Sequence, residues 1–232
     1  MKYLYKFFEH SKSDPIPELT WKKDNKLAIF VFGTPASGKS TFIKDFVVPK
    51  LRSFKIFNTD SIQKKLVKIG KDIYSKSEDE FNEKMDTIRN AINTFNSEYD
   101  LDLRLSDKDI KDIIDNNVFV KGSSEIMEKM LINYMLYSNS DFIFDTTGND
   151  FYRIKKYSIL ARKNNYDILF LKIKVDFKQT VIDNLNRYRV VQPDYQLHSI
   201  KRSEKLEQVY LKLDPDAYYI YDRDNKKFTK LK

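Results

Sequence analysis

The segment from Leu27 to Thr41 constrains this chain more than any other. LAIFVF, residues 27–32, is an uninterrupted apolar run of strand length that stops at Gly33, the pattern of a strand buried on both faces of a parallel sheet. The next nine residues, Gly33-Thr34-Pro35-Ala36-Ser37-Gly38-Lys39-Ser40-Thr41, match G-x-x-x-x-G-K-[ST] and lead into a helical segment, so the motif stands between the two elements it requires. From average composition, a chance match somewhere in a chain this long is on the order of one in a hundred before those flanking elements are demanded. The glycines let the backbone curl around a phosphate with its N–H groups inward, and the helix N-terminus adds positive potential. Lys39 then neutralises the β- and γ-phosphates, Ser40 coordinates Mg²⁺, and Thr41 begins to serve the helix. The loop predicts ATP and Mg²⁺ as ligands.

The rest of the chain supplies a sheet for this loop. Strands are expected at 54–58 (FKIFN), 142–144 (FIF), 167–174 (DILFLKIK) and 217–221 (AYYIY), each a short run rich in β-branched or aromatic residues. Helical periodicity falls between them, at 123–137 through Ile126, Met130, Leu131 and Tyr134, and at 177–188 through Phe177, Val181, Leu185 and Tyr188. Alternation of strand and helix predicts an α/β fold, a five-stranded parallel sheet with helices on both faces. Residues 71–120 interrupt it. There Phe81, Met85, Ile88, Ile92 and Phe95 repeat at steps of four and three, and a second helical pattern with Ile110, Ile113 and Ile114 follows Ser106. The expected organisation is a lead-in over 1–26, with Pro15 and Pro17, a core over 27–70 and 121–232, and a helical insertion over 71–120 that covers the acceptor site. Within the lead-in, Leu4, Phe7 and Phe8 stand at helical spacing and predict a helix packed on the core.

Two carboxylates are placed to do chemistry at the carboxyl ends of these strands. Asp60 follows the second strand, whose end faces the γ-phosphate in a sheet of this type, so it can accept the proton of an acceptor hydroxyl. Asp60 with Gln63 three residues on also reads as a helix N-cap and its reciprocal partner. Asp145 ends the third strand in FIFDTTGND, where it can hold Mg²⁺ or the acceptor, or serve only its own turn. Thr146, Thr147 and Gly148 continue that turn, with Thr147 on the acceptor side. Arg187 and Arg189 close the 177–188 helix before Pro193. They can stabilise the transferring phosphate as a mobile basic lid, or simply place cations at a helix C-terminus. Arg202, in the next basic stretch, is a weaker candidate.

Composition narrows the partners. Lys and Arg number 42 against 34 Asp and Glu, a formal charge of +8, which favours acidic ligands. The basic residues are interspersed with acids, so a nucleic-acid partner is not the favoured reading. The chain has no cysteine, which excludes disulfides and thiolate metal sites. No run reaches the roughly 18 apolar residues of a membrane span, and MKYLYKFFEH lacks the apolar core of a signal peptide. The expected location is the cytoplasm.

GTPASGKST, the NTD of 58–60, FDTTGND and the segment NYDILFLKIKVDFKQTVIDNLNRYR together resemble the zeta-toxin-type P-loop kinases, including relatives encoded by tailed phages, with polynucleotide and gluconate kinases as more distant cousins. The resemblance covers about 27–70 and 140–225. It implies γ-phosphoryl transfer from ATP to a hydroxyl of a nucleotide, nucleotide-sugar or similar small molecule, in the host cytoplasm if phage-encoded. Lys39, Asp60, Arg187 and Arg189 would be its catalytic residues, and Ser40 and Asp145 its metal contacts. The pattern departs in three places. Gln63 stands where polynucleotide kinases carry an arginine. Asp145 replaces the zeta-toxin glutamate, with Asn149 near the arginine of its following turn. Asp183 takes the place of the first lid arginine of the phage relatives. Two rival readings are a kinase of nucleic-acid ends or modified DNA bases, and a binding module that ATP orders without phosphoryl transfer.

Overall fold

The computed structural model describes residues 25–62, 126–185 and 191–232, together with 82, 85, 86, 89, 90, 93, 97, 106 and 107. The apolar runs form strands β1 (Lys26–Phe32), β2 (Phe54–Asn58), β3 (Asp141–Thr146), β4 (Tyr166–Lys174) and β5 (Ala217–Asp222). A sixth strand, β6 (Lys227–Lys230), completes one sheet in the order β2-β3-β1-β4-β5-β6. The first five are parallel, and β6 returns antiparallel to β5. Five strands were expected, and the described residues form six. The sequence of β6, KFTK, carries a single apolar side chain between lysines, so it has no hydrophobic run to detect. Its lysines suit an edge strand, where charge discourages pairing with another chain.

Period-two alternation sorts the buried side chains onto two faces. On one face Phe30 meets Phe142, Phe144 and Phe170 edge-on, with ring centroids 6.0, 6.0 and 5.4 Å apart. Each such pair adds about 0.5–1.5 kcal/mol to the burial itself. This face is covered by Met127, Leu131 and Met135 of helix α2 (residues 126–137), by Ile154, Tyr157 and Ala161 of α3 (Phe151–Lys163), and by Tyr210 of α5 (Pro193–Leu211). The opposite face, with Ile29, Val31, Ile143 and Leu171, is covered by Phe42, Ile43 and Val47. Those three follow the phosphate-loop motif, where helix α1 (Lys39–Phe42) continues into a wide turn over Ile43–Val47 and a tight one over Val48–Lys50. Helix α4 (Phe177–Leu185) ends within the span expected for it, and the described chain resumes at Val191.

Strand order decides where a ligand fits. From β1 the chain crosses to β2 on one side, whereas from β3 it crosses over β1 to β4 on the other. Two neighbouring strands whose connections leave in opposite directions open a crevice at their carboxyl ends, here between β1 and β3. In the 71–120 segment, residues 82, 85, 86, 89, 90, 93 and 97 are helical and Met85 is buried. Arg89 pairs with Asp86 at 2.8 Å and Asp107 at 2.7 Å. Phe81, Ile88, Ile92, Phe95 and the second helical pattern lie outside the described residues, as do the 1–24 lead-in and Gln63. Among the described residues, no helix is long and apolar enough to cross a membrane.

Candidate active site

Gly33–Gly38 leaves β1 in the crevice as a tight loop, with the Ser37 N–H donating to the Thr34 carbonyl at 3.1 Å. Left-handed backbone at Ala36 (φ 64°) and Gly38 (φ 85°) alternates the direction of successive peptides, the way a chain gathers N–H groups around an anion. Space at Gly33 is tight: a Cβ there would stand 2.5 Å from Ser37 Oγ and 3.3 Å from Ile173 Cβ, so a side chain would displace its neighbours. The Ser37 hydroxyl is fully buried and has no hydrogen-bond partner. Ser40 and Thr41 are exposed in the first turn of α1.

Lys39 folds back over the loop, its Nζ donating to the Gly33 carbonyl at 2.7 Å and the Thr34 carbonyl at 3.0 Å. It also lies 4.0 Å from Asp145 Oδ1. Asp145 is in register with Val31 of β1 on one side and Asn58 of β2 on the other, so three strand ends meet at one carboxylate. Asp145 is buried, and its second oxygen accepts from Asn58 Nδ2. The loop lysine and the carboxylate of the third strand thus approach each other directly.

Asn58 went unnoticed in the sequence reading and has two tasks. Besides holding Asp145, its side-chain oxygen accepts the Asp60 N–H at 2.7 Å and the Ser61 N–H at 3.3 Å. Asn58 is thus a cap of the turn over residues 59–62, in which Asp60 stands; of the expected Asp60–Gln63 capping pair, Gln63 lies outside the described residues. The signal was present: asparagine is among the best N-cap residues, and it immediately ends an apolar strand. Asp60 is half-buried at the carboxyl end of β2, two residues from the partner of Asp145.

The turn after Asp145 is held from beneath. Gly148 has φ 71°, and a Cβ on it would lie 2.9 Å from the Phe32 ring. The Gly148 carbonyl accepts from the Tyr210 hydroxyl, a phenol whose pKa burial pushes far above the ordinary range, so it stays a donor. Asn149 donates to Ser199 at 2.7 Å, and Asp150 caps α3 through the Arg153 N–H at 3.0 Å. Thr147 is half-buried between these anchors. Arg202 is exposed on α5. Arg187 and Arg189 lie outside the described residues. An arginine that sequence reading missed does reach the loop: Arg223, just past β5, lies with Nη1 3.4 Å from the Ala36 carbonyl, 187 residues away in the chain. Its cationic head pairs with Asp183, the residue that departs from the phage pattern.

No family model and no curated protein matches this sequence. Solved structures do. One is from the PezAT chromosomal toxin-antitoxin system of Streptococcus pneumoniae, with TM-score 0.54 and 15% identity over 91% of this chain and 73% of that one. Another is from the AvrRxo1-ORF1:AvrRxo1-ORF2 complex, with TM-score 0.56 and 11% identity over 89% of this chain in a form with sulphate ions, and 12% identity in a form with ATP. This chain spans 57% of the AvrRxo1 chain's length. At these identities the likeness is one of fold.

Proposed function

We propose that this chain is a kinase that moves the γ-phosphoryl group of ATP to a hydroxyl of a nucleotide, nucleotide-sugar or similar small molecule. The observation that carries the reading is the meeting of Lys39, the phosphate loop and buried Asp145 at the switch point of the sheet, with Asp60 on the adjoining strand end. A solved structure of this fold in complex with ATP supports the donor.

The chain's own groups divide the work. Loop N–H groups and Lys39 hold the β- and γ-phosphates, which requires the lysine to exchange its two carbonyl partners for phosphate oxygens. Asp60 takes the proton of the acceptor hydroxyl as its oxygen bonds to the γ-phosphorus, and the bond to the bridging oxygen breaks to release ADP. Arg187 and Arg189 offset the charge that builds on the transferring group. Asp145 and Thr147 place the acceptor. The Ser40 hydroxyl, exposed at the start of α1, and the Asp145 carboxylate are oxygen donors of the kind Mg²⁺ takes and would hold it, and the ion would neutralise charge on the phosphates.

Incubating the protein with γ-labelled ATP and fractionated cell extract tests this reading, with Lys39→Ala as control. Label should enter a small-molecule fraction with the native protein and in none with the variant. Tight ATP binding with no labelled product in any fraction would favour an ATP-ordered binding module, and label on nucleic acid a polynucleotide kinase.

A further inference from the structure

A loop that presents peptide N–H groups to an anion must turn the carbonyls of the same planar peptides outward. Outward carbonyls shielded from water need partners of their own. In the phosphate loop two consecutive ones have them. The Pro35 carbonyl accepts from Gln196 Nε2 at 3.3 Å, and the Ala36 carbonyl lies 3.4 Å from Arg223 Nη1. The second of these peptides is gripped at both ends, because its Ser37 N–H is bound to the Thr34 carbonyl. Ala36 itself holds a left-handed conformation, which an L residue keeps only when its surroundings enforce it.

Both outer partners are anchored on one turn of α4. The same Gln196 Nε2 donates to the Thr180 carbonyl at 3.2 Å, and Gln196 is fully buried on α5. Arg223 Nη2 meets Asp183 Oδ2 at 2.6 Å, while the other Asp183 oxygen accepts from Gln179 at 2.8 Å. Thr180 and Asp183 are three residues apart, so the two anchor points lie within one turn of α4. The Arg223 side chain also runs along Gly38, 3.4 Å from where a Cβ would stand.

We propose that Gln196 and the Asp183–Arg223 pair form an outer clasp on the phosphate loop. They are positioning residues: they orient the two peptides around Ala36 and tie them to α4, so loop geometry and the placement of α4 change together. The proposal rests on the reading of residues 33–41 as a triphosphate site. It makes a prediction opposite in sign to simple charge. Asp183 is a negative group near an anion site, so on Coulomb grounds its removal should tighten triphosphate binding. In the clasp its removal loosens Arg223 and weakens binding.

The test uses the full chain with Asp183→Asn, Asp183→Glu, Arg223→Lys and Gln196→Leu. Three properties are measured: Mg·ATP affinity by calorimetry, amide hydrogen exchange over residues 33–41 without nucleotide, and thermal melting. Asp183→Asn should weaken Mg·ATP binding roughly three- to tenfold and speed exchange over 33–41, with little change in melting because Asp183 is partly exposed. Asp183→Glu should restore both, and Asp183→Asn should add nothing in the Arg223→Lys background. Gln196→Leu should speed the same exchange. Tighter binding in Asp183→Asn, or unchanged exchange over 33–41, overturns the clasp. Should the native chain fail to bind Mg·ATP while exchange responds as described, the triphosphate reading falls and the clasp stands.

Discussion

At the residue scale, Asn58 caps the turn over 59–62 by accepting the Asp60 and Ser61 N–H groups, so Asp60→Asn leaves that cap in place. It should keep ATP binding and lower transfer by roughly 10²-fold or more, the scale of a lost general base, measured as kcat with ATP affinity determined in parallel. A fully active variant would place the base elsewhere. Gly148 offers a structural counterpart. Its φ of 71° and the 2.9 Å approach of the Phe32 ring to a Cβ mean that Gly148→Ala should cost about 1–3 kcal/mol in chemical denaturation. The same change should displace the turn that carries Thr147. An unchanged denaturation midpoint would show that the turn tolerates a side chain.

At the element scale, the β5–β6 hairpin carries Arg223 and is closed by Asp222. The Asp222 carboxylate accepts from the Asn225 N–H at 3.0 Å, the Asp224 N–H at 3.1 Å and the Asn225 side-chain amide at 3.0 Å. Chiefly the Asn225 amide, and then its backbone N–H, holds the Asp222 carboxyl below the ordinary carboxylate range. A folded-state pKa below the unfolded one means that the stabilisation is present above the unfolded value and is lost as pH falls through the folded one. Denaturation midpoints of native protein and Asp222→Ala should therefore differ near neutral pH and converge in acid, below about pH 4. A gap that stays constant with pH would assign the turn's stability to something other than this carboxylate. The hairpin was legible only in its first half. AYYIY announces β5 by its apolar run, whereas KFTK gains its place by pairing with β5 and from Phe228 packing against Phe42 and Tyr221.

At the scale of the whole molecule, the 71–120 segment falls in the chain between β2, which Asp60 follows by two residues, and β3, which carries Asp145. On the proposed function, an insertion at this point of the chain is expected to cover the acceptor at the crevice of the sheet. Replacing 71–120 by a short linker should spare ATP binding by the 33–41 loop and remove acceptor phosphorylation, measured on the correctly folded shortened protein with the acceptor found by labelling. Unchanged acceptor phosphorylation would show that the segment has no part in recognition.

What the sequence determined by itself is what local chemistry demands. Continuous apolar runs mark strands buried on both faces, and a loop with glycine at its two tight positions and lysine at its end marks a phosphate site. Both are expectations drawn from residues within a few positions of one another, and the phosphate site is the part that the labelling experiment tests. The tertiary structure alone decided the rest. It set β3 beside β1, which brings Asp145 to Lys39. It brought Gln196 and Arg223 to consecutive carbonyls of the loop from 161 and 187 residues away. A side chain that acts across such a separation leaves no periodicity around it, because its neighbours in sequence face a different environment from its partner in space.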